Sequence, residues 1–204
     1  MRFLIVLCAW FASAALAHAA DVTVRVTDAA GAPVRHAVVS FAPDGGYRGP
    51  IAFDWPYQIA QRNLAFEPAI LIAPVGAEVR FPNLDRVRHH VYSFSDGNRF
   101  ELTLYGRDET RAHRFRSAGI AAIGCNIHDQ MRAYIIITDT PFIAITGADG
   151  TARLAGASGA GHLRVWHADL RARGGVQSRP ARYPAAGAVQ EALRVDLRAA
   201  HAGH

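Results

Sequence analysis

The sequence predicts an all-β protein. Apolar and polar residues alternate with a period of two in several short runs, Gly, Pro, Asp and Asn clusters separate those runs, and no segment keeps a helical period. Regular alternation gives a strand one face for a core and one for water, which is the sequence form of a β-sandwich.

The elements follow in chain order. The first twenty residues, MRFLIVLCAWFASAALAHAA, place Arg2 ahead of an apolar stretch at 3–16 and close on Ala17-His18-Ala19. A basic start, a short apolar centre and a small-residue exit predict a signal peptide, cleaved after residue 20, rather than a membrane anchor. The expected address of the mature chain is therefore periplasmic or secreted, with no membrane span. Cys8 leaves with that peptide, so Cys125 is the one thiol left. A single thiol in an oxidising compartment forms no internal disulfide; it is buried and inert or bound to something.

From residue 21, DVTVRVTD sets Val22, Val24 and Val26 on one face. A turn at 30–33 leads into HAVVSF. Downstream, FIAITGADGTARLAGASGAGHLRVWHADL gives short strands broken by Asp149-Gly150 and by the glycines at 156–161; the Arg-, Gly- and Pro-rich stretch 171–186 reads as a loop, and VQEALRVDL as a last strand. Between these lies a differently patterned block, residues 46–140. It offers eight short strands: YQIAQ, AILIAP, EVRFPN, HVYSFS, FELTLY, HRFRSA, IAAIGC and AYIIIT. Eight strands with turns between them suggest a sandwich or Greek-key barrel. Tyr92, Phe94 and Phe100 read as core residues of this block.

Charge narrows the function classes. The formal net charge is +5, every basic residue is Arg, and the arginines are scattered rather than grouped in a stripe with aromatics. Such a pattern speaks against nucleic-acid binding. No paired carboxylates, nucleophile elbow or phosphate loop appears.

The chemistry concentrates in GCNIHDQMRAYIII, residues 124–137, where Cys125, His128 and Met131 stand three apart, and in FPNLDRVRHHVYSF upstream, with His89 and His90. A thiolate and two imidazoles with a weak thioether form the ligand set of a blue-copper electron-transfer site. Soft sulfur favours Cu(I) and imidazole suits both oxidation states, so little moves when an electron arrives. Structural zinc prefers four strong N or S ligands, and Met is a poor one. Haem attachment needs a second Cys. A catalytic Cys–His pair leaves Met131 and the upstream histidine without a role. A multicopper oxidase needs a histidine on each side of the cysteine, and Gly124 and Asn126 stand there instead. His36, His113, His162 and His167 read as surface or packing residues, and His201 and His204 as part of a solvated tail.

Two resemblances organise these pieces. Phe66, Pro68, Leu71, Gly76, Val79, Phe81 and Asn83, then His89 six residues beyond Asn83, then Cys125, His128 and Met131, resemble the plastocyanin/azurin family of cupredoxins, in its amicyanin-like form. The resemblance implies one type 1 copper ion held by His89, Cys125, His128 and Met131. It implies that Asn83 braces the cysteine loop and tunes the metal, and that His128 lies nearest the surface. Arg88 and His90 replace the proline and asparagine that usually flank the first ligand. His90 is thus a neighbour that ties the ligand loops together or competes for the metal, and strand alternation favours His89. Asp28, Gly31 and Pro33 with Asp149 and Gly150 resemble the carboxypeptidase regulatory-like group of transthyretin-type sandwiches.

The expected architecture is accordingly a cupredoxin Greek-key β-sandwich, residues 46–140, inserted in or paired with a small Ig/transthyretin-like β-sandwich of residues 21–45 plus 141–199. The implied function is single-electron transfer without catalysis, with a redox protein such as a c-type cytochrome or a periplasmic dehydrogenase as partner. A copper sensor, store or delivery protein is the first alternative. An extracytoplasmic interaction module with an accessory copper site is the second.

Overall fold

A computed structural model describes residues 20–198; the signal-peptide reading, Cys8, His201 and His204 lie outside them. The described chain is β throughout, apart from one 3-10 turn at Arg173–Gly175.

Strands from the two ends of the chain share two sheets. β1 (Asp21–Thr27) runs between β13 (Thr151–Ala155), antiparallel to it, and β16 (Ala188–Arg194), parallel to it. The facing sheet is β12 (Ile143–Ile145), β2 (Val38–Pro43), β14 (Gly159–Trp166) and β15 (Val176–Tyr183), in that order. Val22, Val24 and Val26 from one sheet meet Val39, Phe41, Leu163 and Val165 from the other, as their alternation requires. Two turns fix the register. Asp28 Oδ1 accepts the N–H groups of Ala30 at 2.9 Å and Ala32 at 2.8 Å. Gly150 sits at φ +75°, where an added Cβ would lie 2.5 Å from the Val26 carbonyl oxygen, so the position demands glycine.

The chain leaves this sandwich after β2 and returns at β12, which pairs with β2 itself: Ile143 opposes Ser40, and Phe41 N–H donates to Phe142 O at 2.8 Å. The intervening residues form a second set of sheets. β5 (Ile70–Pro74), β11 (His128–Thr138), β10 (Gly119–Cys125), β7 (His89–Ser93) and β8 (Phe100–Tyr105) make five strands in that order. β6 (Glu78–Pro82) pairs with β9 (Thr110–Arg114), and β3 (Ala60–Arg62) with β4 (Ala65–Glu67). Their core holds Phe66, Val79, Phe81, Val91, Tyr105, Phe115, Ile123, Cys125, Met131 and Ile135.

The unbroken apolar run of β11 has a simple cause. Ile135 and Ile137 point into this second core, whereas Ile136 points the other way, into a seam with Ile72, Val38, Ile143 and Trp166. Both faces of the strand are covered, so alternation is lost.

Several sequence expectations change. The stretch 171–186 is not a loop throughout: β15 runs antiparallel to β14 over eight residues, with Pro180 opposite His162. β15 is an edge strand, where a residue without an N–H costs no ladder bond on the open side. The glycines at 159–161 lie within β14 instead of breaking it. β9 begins at Thr110, three residues ahead of HRFRSA, and β4 was not foreseen. Phe94 is 68% exposed rather than core, while Phe100 is buried.

Candidate metal centre

Two local irregularities bring the ligands together. β10 and β11 pair regularly up to Gly124 opposite Arg132, then jump so that Cys125 opposes His128. Asp129, Gln130 and Met131 are thereby left without partners on β10. Bulges of this kind re-aim side chains. Here the first two stay exposed and Met131 turns fully into the core. On the neighbouring strand, β7 and β8 shift register between His89 and Val91. His89 and Val91 point inward and His90 outward.

The result is a compact donor cluster. Cys125 Sγ lies 3.7 Å from His89 Nδ1 and 3.6 Å from His128 Nδ1. The three donor atoms all fall within 4.8 Å of one another. A metal about 2.0 Å from nitrogen and about 2.3 Å from sulfur, at angles between tetrahedral and trigonal, separates N from S by roughly 3.5–3.8 Å. The observed spacings fit that requirement, with one thiol and two like-facing imidazole nitrogens as the donor set. Among the described residues this is the only such group of His, Cys, Asp or Glu side chains.

Burial grades across the cluster. His89 and Cys125 are buried and His128 is half-buried, next to the exposed Ile127. The His89 and His128 rings stand 5.0 Å apart between centroids. Gly124 packs beneath Tyr92: a Cβ there would lie 3.0 Å from the Tyr92 hydroxyl, so the residue before the cysteine is small because an aromatic from β7 covers it.

His90 stands outside the cluster. Its Nε2 pairs with Glu101 Oε1 at 2.8 Å on the opposite face of the sheet. Asn83 bonds differently from its expected role as a brace for the cysteine loop. Its Nδ2 donates to Val87 O at 2.8 Å and Tyr105 O at 3.2 Å, and its Oδ1 accepts the Asp85 N–H at 2.9 Å. It braces the loop leading to His89, because the turn after β6 folds back over its amide. His113 stacks on Phe100 at 4.5 Å, and His162 and His167 pair with Asp44 and Asp169. None of them approaches the cluster.

One contact was not legible in the sequence. His89 Nε2 lies 2.8 Å from Asp85 Oδ2. Burial pushes the Asp85 carboxyl up, but the hydrogen bonds from His89 and from the Leu64 and Asn63 amides outweigh it and hold the group below the usual carboxylate range. The signal was present as D-x-x-x-H, a four-residue spacing too common to single out. Deeper in, the buried Tyr105 hydroxyl sits 2.6 Å from Gln61 Oε1 and 2.9 Å from Phe81 O, and burial raises its pKa.

No family model matches this chain, and no curated protein does. Solved structures are similar to it in part. A Cu-containing nitrite reductase (NirK) from Thermus scotoductus SA-01 is 23% identical over 45% of this chain, with a TM-score of 0.40; the match spans only 26% of that enzyme. A purple cupredoxin from Nitrosopumilus maritimus is 20% identical over 40% of this chain and 98% of its own, TM-score 0.37. A reduced amicyanin mutant is 16% identical over 50% of this chain and 99% of its own, TM-score 0.38.

Proposed function

We propose that the chain is a single-copper electron carrier of the blue-copper kind, acting outside the cytoplasm. The observation that supports this is the convergence of His89 Nδ1, Cys125 Sγ and His128 Nδ1 at metal-ligand spacing. Met131, buried in the same core as Cys125, is the proposed weak fourth ligand. When bound, copper would supply the one-electron couple; the chain's residues hold it, exclude water from the His89 side and present the His128 edge to a partner. The half-burial of His128 beside Ile127 favours that edge as the exchange point. The proposed partner is another extracytoplasmic redox protein, such as a c-type cytochrome or a dehydrogenase.

Copper added to the purified protein should give an intense visible band with a narrow copper hyperfine splitting in its EPR spectrum. Reversible one-electron voltammetry should accompany it. Uptake of copper with transfer to a chelating acceptor, and no reversible wave, would favour copper delivery instead. No uptake at all would end the copper reading.

A further inference from the structure

We infer that Asp85 is a positioning residue for the metal centre, fixing the tautomer of His89 and biasing the site toward the more highly charged state of its metal. This rests on the copper reading above. The geometry is a chain of hydrogen bonds that ends on a ligand. His89 Nε2 lies 2.8 Å from Asp85 Oδ2, while Nδ1 of the same ring faces Cys125 Sγ at 3.7 Å. An ionised carboxylate offers only acceptors, so Nε2 carries the proton and Nδ1 keeps its lone pair for the metal. The His89 side chain is fully buried and that of Asp85 nearly so, which leaves the carboxylate as the partner that sets the ring.

The carboxylate is itself held from behind. Asp85 Oδ1 accepts the Asn63 N–H at 2.6 Å, and Oδ2 accepts the Leu64 N–H at 3.1 Å. These two residues turn the β3–β4 hairpin with φ of +53° and +57°, left-handed at consecutive positions although neither is glycine. A two-residue hairpin loop of this kind needs positive φ at both central positions, which Asn63 adopts readily and Leu64 holds only under constraint. Here the loop aims two successive N–H groups at one side chain. Asn83 completes the support by accepting the Asp85 N–H. A hairpin that contributes no ligand thus acts on the metal centre through one carboxylate.

Two effects follow. A carboxylate on the far nitrogen makes a ligand imidazole more basic and locks its orientation. Its charge also attracts Cu(II) more strongly than Cu(I). Reduction brings in one electron from the redox partner, with no bond on the chain made or broken, so the bias appears directly as a lowered reduction potential.

Asp85→Asn removes the charge and keeps the size. The copper-loaded variant should retain the visible band but bind Cu(II) roughly 10–100-fold more weakly, with Cu(I) affinity changed less. Each tenfold change in that ratio raises the potential by about 59 mV. An unchanged potential with an intact spectrum overturns the role of Asp85 and leaves the copper reading standing. An unsubstituted protein that takes up no copper sinks both. Because the asparagine also unsettles the hairpin turn, the tautomer is read separately on the unsubstituted apo-protein by ¹⁵N NMR of its imidazoles. A slowly exchanging His89 Nε2–H is expected; a ring that carries its proton on Nδ1 alone overturns the proposal whatever the variant does.

Discussion

Cys125 carries more of the proposed function than any other residue, and its sequence signal is the clearest. A lone thiol three residues before a histidine, downstream of a second histidine motif, is a strong local signal. Cys125→Ser should abolish the visible band while leaving the sheets intact, as judged by circular dichroism; a band that survives would refute the ligand assignment. Met131 stands out as a candidate ligand only through its register with the other two, because a buried methionine is ordinarily core. Met131→Ala should cost about 2–5 kcal/mol as a cavity and should also move the visible spectrum, which packing loss elsewhere would not do. Asp85 was illegible for a physical reason. Its partners Asn63 and Leu64 lie more than twenty residues away, and nothing local marks a carboxylate that closes a long-range turn.

Among the elements, legibility followed local pattern. The alternation of β1 and the turn at Asp149-Gly150 were readable because each is decided by neighbours in sequence. Gly150→Ala should destabilise the sandwich of β1 and β13 by at least about 1–2 kcal/mol, since the alanine must hold a left-handed φ and its Cβ collides with backbone. Chemical denaturation tests this. β15 was unreadable because its composition is that of a loop, and only pairing along β14 makes it a strand. β11 starts ahead of its apolar run: the strand begins at His128, because the bulge carries polar residues. The run itself was readable as a strand but not as one buried on both faces. Ile136→Ala should therefore cost about 2–5 kcal/mol, comparable with Ile135→Ala, although only Ile135 belongs to the core around Cys125.

At the scale of the molecule, the all-β class followed from the sequence because it depends on period and turn chemistry summed over many segments. The pairing of β1 with β16 did not, because the strands are far apart in the chain and their match is decided by the sandwich that both help to close. Copper at about one hundred times its dissociation constant should add about 2.7 kcal/mol to the stability. That corresponds to roughly 5–10 °C in midpoint for a chain of this size. Calorimetry with and without copper checks this, and the gain should vanish in Cys125→Ser.

The seam built around Ile136 has an optical consequence. Downstream of residue 20 the chain has two tryptophans, Trp55 and Trp166. Trp166 is buried in the seam against Tyr134, and Trp55 donates its indole N–H to the Ile72 carbonyl at 2.9 Å, beside Ile143. Neither indole belongs to either of the two large cores. Intrinsic fluorescence therefore watches the join between the two halves. If the halves part before they melt, emission will shift red while the circular dichroism of both β-sandwiches is still unchanged.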